Sequence, residues 1–124
     1  MTSSNSEILE HLDILDRLGS MNEDELVAHF TNENIAVIRL VAPELNEDLQ
    51  MEHILSDKRF IAVVRDLAQM RALWKLRFEE TAKAVEEASS GGKEMQAQWI
   101  IDGFLRFCPS PFYRGMAEKL MEKV

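Results

Sequence analysis

The sequence predicts an all-α protein, a small helical bundle of six or seven helices with one long helix over about residues 57–88 and an antiparallel return helix. Three observations carry this expectation. No Gly or Pro interrupts the span from Asp57 to Ala88, and its Ala, Leu, Arg, Lys and Glu are good helix formers. Apolar residues elsewhere recur at three- and four-residue spacing. Only Asn34 to Leu45 is rich in β-branched residues, and a lone strand there would leave its amides and carbonyls without a partner.

Ser4 and Glu7 have the spacing of a capping box and predict the first helix start. Ile8, Leu12, Leu15 and Leu18 then form one apolar stripe, which Gly19 ends. Asn22 and Glu25 repeat the capping pattern and open a short helix with Leu26, Val27 and Phe30 inside, ending at Thr31 or Asn32. The run from Asn34 is read as helix rather than strand, closed by Pro43, with a further helix from about Asn46 to Leu55.

Along the long helix, Phe60, Val64, Leu67, Arg71, Trp74, Phe78, Thr81, Val85 and Ala88 step by fours and threes, the spacing of a packing seam. At 1.5 Å per residue such a helix spans about 48 Å, more than the width of a compact domain of this size. This predicts cover from a second chain. The Ser89–Gly92 segment is a turn, after which Met95, Trp99, Ile100, Phe104 and Phe107 predict the inward face of the return helix. Pro109 stops that helix. Ser110 as cap and Pro111 in the first turn open the last one, with Met116 and Leu120 facing in.

The 124 residues, 46% hydrophobic and 29% charged, suit a single domain over 1–124 with residues 1–5 as a flexible tail. Cys108 is the only cysteine, so no internal disulfide forms, and a cytoplasmic location is expected. The first residues lack the basic start and apolar run of a signal peptide. The most apolar run, Ile35 to Ala42, includes Arg39 and falls far short of the roughly 20 residues a membrane span needs.

A net charge of −8 hides a division, because residues 1–57 hold thirteen acids against Arg17 and Arg39 while residues 58–124 hold nine acids and twelve bases. Lys58, Arg59, Arg65, Arg71, Lys75 and Arg77 face only Asp66 in their stretch. Oppositely charged segments of one small domain commonly lie side by side, which accounts for the pattern without a ligand.

Few residues suggest chemistry. Cys108 and Arg114 stand at the spacing of the protein tyrosine phosphatase signature, in which a thiolate attacks phosphorus within a cradle of backbone N–H groups. Here Pro109 and Pro111 remove two donors, no glycine lies between, and Phe107 replaces the histidine usual in that signature. Cys108-Pro109 also resembles the short heme-regulatory pattern, over two residues only. A proline-punctuated corner with Cys108 as a small buried hydrophobe explains both. Glu7 with His11 and Glu25 with His29 lie four apart and offer two half-sites, His53 standing alone, and none has the offset of a di-iron bundle. No metal or cofactor is predicted, and no catalytic residue is assigned.

The leading expectation is a non-enzymatic helical protein–protein interaction module, an adaptor, assembly factor or small regulator, self-associating through the long helix. Its partner-binding residues are Arg71, Trp74, Phe78, Arg65 and Lys75, since aromatic and arginine side chains carry most interface energy. A first alternative is a nucleic-acid-binding regulator using Arg59, Arg65, Arg71, Lys75 and Arg77, which the overall acidity opposes. A second is a small-ligand or heme sensor, or a small enzyme, with a pocket of Trp99, Phe104, Cys108, Tyr113 and Arg114.

Overall fold

The computed structural model describes residues 5–49, 51, 54 and 56–124. Among them are six helices and no strand: α1 (Asn5–Gly19), α2 (Glu23–Ala28), α3 (Asn32–Leu45), α4 (Asp57–Ser90), α5 (Glu94–Phe107) and α6 (Pro111–Met121). No helix among these residues is long and apolar enough to cross a membrane. The chain divides into two compact units, Met1–Arg71 and Ala72–Val124, and α4 contributes its first part to one and its second part to the other.

In the first unit α1 packs against α3. Ile8, Leu12, Leu15 and Leu18 are all buried, as their spacing predicts. The expected cap Ser4 lies outside the described residues. Gly19 ends α1 for a different reason than a left-handed cap, since among the described residues only Gly92 has a positive φ. A Cβ at Gly19 would stand 2.7 Å from the Ala68 Cβ, so the glycine lets the end of α1 approach α4.

The capping box at α2 is complete: the Glu25 amide donates to Asn22 Oδ1 at 2.8 Å and the Asn22 amide to Glu25 Oε1 at 3.2 Å. The helix is shorter than expected, ending at Ala28, and Val27 is exposed while Leu26 is buried. Thr31 does not end α2. It caps α3, accepting from the Asn34 amide at 3.2 Å, and the Asn34 side chain donates to the His29 carbonyl at 2.8 Å. The β-branched run is helical, with Ile38, Val41, Ala42 and Leu45 buried. Pro43 lies inside this helix rather than closing it. The turn survives because the Asn46 amide reaches the Ala42 carbonyl at 3.0 Å and Leu45 is fully buried.

The helix expected over Asn46–Leu55 is not formed at its described residues. Asn46 Oδ1 accepts from the Asp48 amide at 3.0 Å, a local bond that competes with helix continuation, and residues 47 and 48 form a turn. Residues 50, 52, 53 and 55 lie outside the described set, and the candidate His53 with them. Ser56 opens α4: its Oγ accepts from the Arg59 amide at 3.1 Å and its carbonyl from the Phe60 amide at 3.0 Å. Phe60, Val63, Val64 and Leu67 then enter the core, with the Phe60 ring 5.4 Å from Phe30.

The second unit is built on an aromatic cluster. Phe104 meets Trp74 and Phe78 edge-on, each at 6.0 Å between ring centroids. Tyr113 sits 6.0 Å from Phe78 and 5.1 Å from Phe112. Gly92, at φ 75°, ends α4 by a Schellman motif in which the Lys93 amide donates to the Ala88 carbonyl and the Gly92 amide to that of Ser89. Ser110 caps α6 by accepting from the Tyr113 amide at 3.2 Å, with Pro111 in the first turn. The buried residues of α6 are Phe112, Tyr113 and Ala117, whereas Met116 and Leu120 are only half-buried.

Candidate functional site

The predicted seam of α4 is covered within the chain at its two ends and half-covered at its middle. Phe60, Val64, Leu67, Arg71, Val85 and Ala88 are buried and Trp74, Phe78 and Thr81 half-buried. The apolar surface left open lies elsewhere. On α5 the buried residues are Ala97, Ile101 and Phe104, and Met95, Trp99 and Phe107, expected to face in, remain 68%, 66% and 77% exposed. A second stripe explains the reversal: Ala97, Ile101, Phe104 and Cys108 step by four, three and four, and this one enters the core. The small Ala97 gives that stripe a weaker apolar signal than Trp99 gives the outward one.

Trp99 and Phe107 are eight apart on α5, hence about two turns along one face, with Gly103 midway between them. Beside Phe107 runs a groove of about 400 Å³ lined by Trp74, Arg77, Glu80, Thr81 and Ala84 of α4 and Ile100, Phe104 and Phe107 of α5. The Arg77 guanidinium lies 5.2 Å from the Trp74 ring centre, a cation–π contact at the groove wall. Leu73 and Leu76, 44% and 56% exposed, lie within one helical turn of Arg77.

The predicted partner-binding residues fare differently. Arg71 is buried in the first unit, its Nε 3.6 Å from Asp16 Oδ1. Arg65 is exposed, 4.0 Å from Glu23. Lys75 is exposed, and Trp74 and Phe78 serve the aromatic cluster. The basic residues form no single stripe: Arg59, Arg65, Arg71 and Arg77 recur every six positions, about 1.7 turns, so successive members point about 120° apart, although Arg71 and Lys75, four apart, share a face.

The five predicted pocket residues are also dispersed. Phe104 lines the groove, Trp99 points outward, and Tyr113 is buried against Phe112 and Phe78. Arg114 is half-buried in the first turn of α6. Cys108 is buried and its Sγ donates to the Ser110 carbonyl at 3.8 Å. Burial pushes its thiol above the ordinary 9.0, a shift that the hydrogen bond at Ser110 and, less so, the charge of Arg114 oppose only in part. A neutral, enclosed thiol is a poor nucleophile and a poor metal ligand. Iodoacetamide at pH 8 is therefore expected to label Cys108 about tenfold more slowly in the folded protein than in denaturant, and equal rates would contradict this placement. Stability from keeping this thiol neutral is complete below pH 9.0 and is lost as pH rises through the higher folded value.

The Glu25–His29 half-site is committed locally, with the Glu25 carboxylate in the capping box and His29 Nδ1 2.8 Å from the Glu25 carbonyl. Among the described residues no three His, Cys, Asp or Glu side chains converge as a metal site. No family model matches the chain, nor does any curated protein or solved structure.

Proposed function

We propose that this chain is a helical protein–protein interaction module, non-enzymatic, whose contact surface is the outward face of α5. The exposure of Trp99 and Phe107 carries the reading: two large aromatic side chains, 66% and 77% open to water, stand two turns apart on a helix that already has a separate buried stripe. Exposed aromatic clusters of this kind supply interface anchors, and the adjoining groove with Leu73 and Leu76 extends the apolar area. The surface proposed from the sequence, centred on Trp74 and Phe78, thus shifts outward to the groove that Trp74 lines. The acidic first unit steers basic partners by its field.

The test is capture from a lysate of the source organism by tagged wild type and by the Trp99→Glu/Phe107→Glu double variant. Proteins retained by the wild type and lost by the variant, with unchanged circular dichroism, support this surface. An identical bound set for the two proteins contradicts it.

A further inference from the structure

We infer that the occupant of the α5 face is a second copy of the same chain, its α5 running antiparallel and crossing at Gly103. This rests on the reading of α5 as a contact surface and adds its partner. The first observation is the glycine itself. A glycine inside a helix costs about 1 kcal/mol relative to alanine. At Gly103 a Cβ would meet nothing within 4 Å, so no contact within the chain requires its absence. What a bare position on an open face does permit is close approach of another backbone, and Gly103 lies midway between the two exposed aromatics.

The second observation is charge. Asp102 and Arg106 are exposed and lie four apart beside this stripe. In an antiparallel pair with its twofold axis at Gly103, Trp99 of one copy lies opposite Phe107 of the other. Asp102 of each copy then comes alongside Arg106 of its mate, twice over, as a twofold interface demands. Such exposed pairs add little energy but select the antiparallel register, because a parallel pairing in register sets like charges side by side. The third observation is net charge. Residues 72–124 hold eight acids and eight bases, so the chain's −8 resides wholly in residues 1–71. Association through the second unit brings together surfaces without net repulsion.

Two measurements on the purified full chain test this. Sedimentation at tens of micromolar is expected to give a dimer for the wild type and a monomer for Trp99→Glu/Phe107→Glu, both altered side chains being on the surface. In a Cys108→Ser background, Gly103→Cys sits on the twofold axis, and mild oxidation should form a disulfide-linked dimer about tenfold faster than Gln98→Cys on the same helix, because pairing raises the local thiol concentration. A monomeric wild type, or equal cross-linking at the two positions, overturns the inference. If the wild type is monomeric yet its α5-dependent capture of other proteins persists, the second copy is wrong and the interaction surface stands. Loss of both results removes both.

Discussion

Replacing Phe60 by alanine is expected to lower the stability of the protein by about 3–5 kcal/mol, the range for deleting a fully buried aromatic ring. Phe60 is wholly buried, lies 5.4 Å from the Phe30 ring, and is the residue whose amide closes the first turn of α4 on the Ser56 carbonyl. Truncation leaves a cavity beside Phe30 that a close-packed core fills only in part. Phe60→Leu retains most of the volume and is expected to cost less than half as much. Chemical denaturation followed by circular dichroism measures both. A loss under about 1 kcal/mol for Phe60→Ala would mean the first unit is not organised around this ring.

Gly19→Ala is expected to destabilise by about 1–3 kcal/mol, although alanine is the better helix former. The added Cβ would lie 2.7 Å from that of Ala68, and neither atom belongs to a flexible side chain that could turn aside. The helices must therefore move apart, loosening the contacts of Leu18 and Leu67 nearby in sequence. The explanation has a specific check. Ala68→Gly, harmful by about 1 kcal/mol alone, should restore stability in the Gly19→Ala background, giving a favourable coupling in the double-mutant cycle. Strict additivity of the two changes would contradict close approach as the reason for the glycine.

Much of this architecture is legible in the residues. The long uninterrupted helix, the Asn22–Glu25 capping box and the Gly92 turn are written in local chemistry, which tertiary contacts rarely override. The failures have a common cause, which is competition between signals of similar strength. Asn46 could begin a helix or fold back on the Asp48 amide, and it does the latter. Pro43 could end α3, but its missing N–H falls where burial of Leu45 outweighs one hydrogen bond.

The site was less legible than the fold. Apolar residues occupy both sides of α5, and periodicity alone does not say which stripe meets the core. The choice depends on Trp74 and Phe78, which reach Phe104 from a helix some thirty positions earlier in sequence. By spacing alone Arg71 is a charged member of a seam available to a partner. Its true environment is set by Asp16, fifty-five positions earlier, a proximity no local pattern encodes.

If a second copy covers the aromatic face of α5, the mass of the purified chain in solution reports it. Light scattering across a dilution series is predicted to show twice the 14.3 kDa chain mass at tens of micromolar, falling to the chain mass on dilution and at all concentrations for Trp99→Glu/Phe107→Glu. A wild type that stays at 14.3 kDa throughout, or a double variant that still doubles its mass, would rule out pairing of two copies through this face.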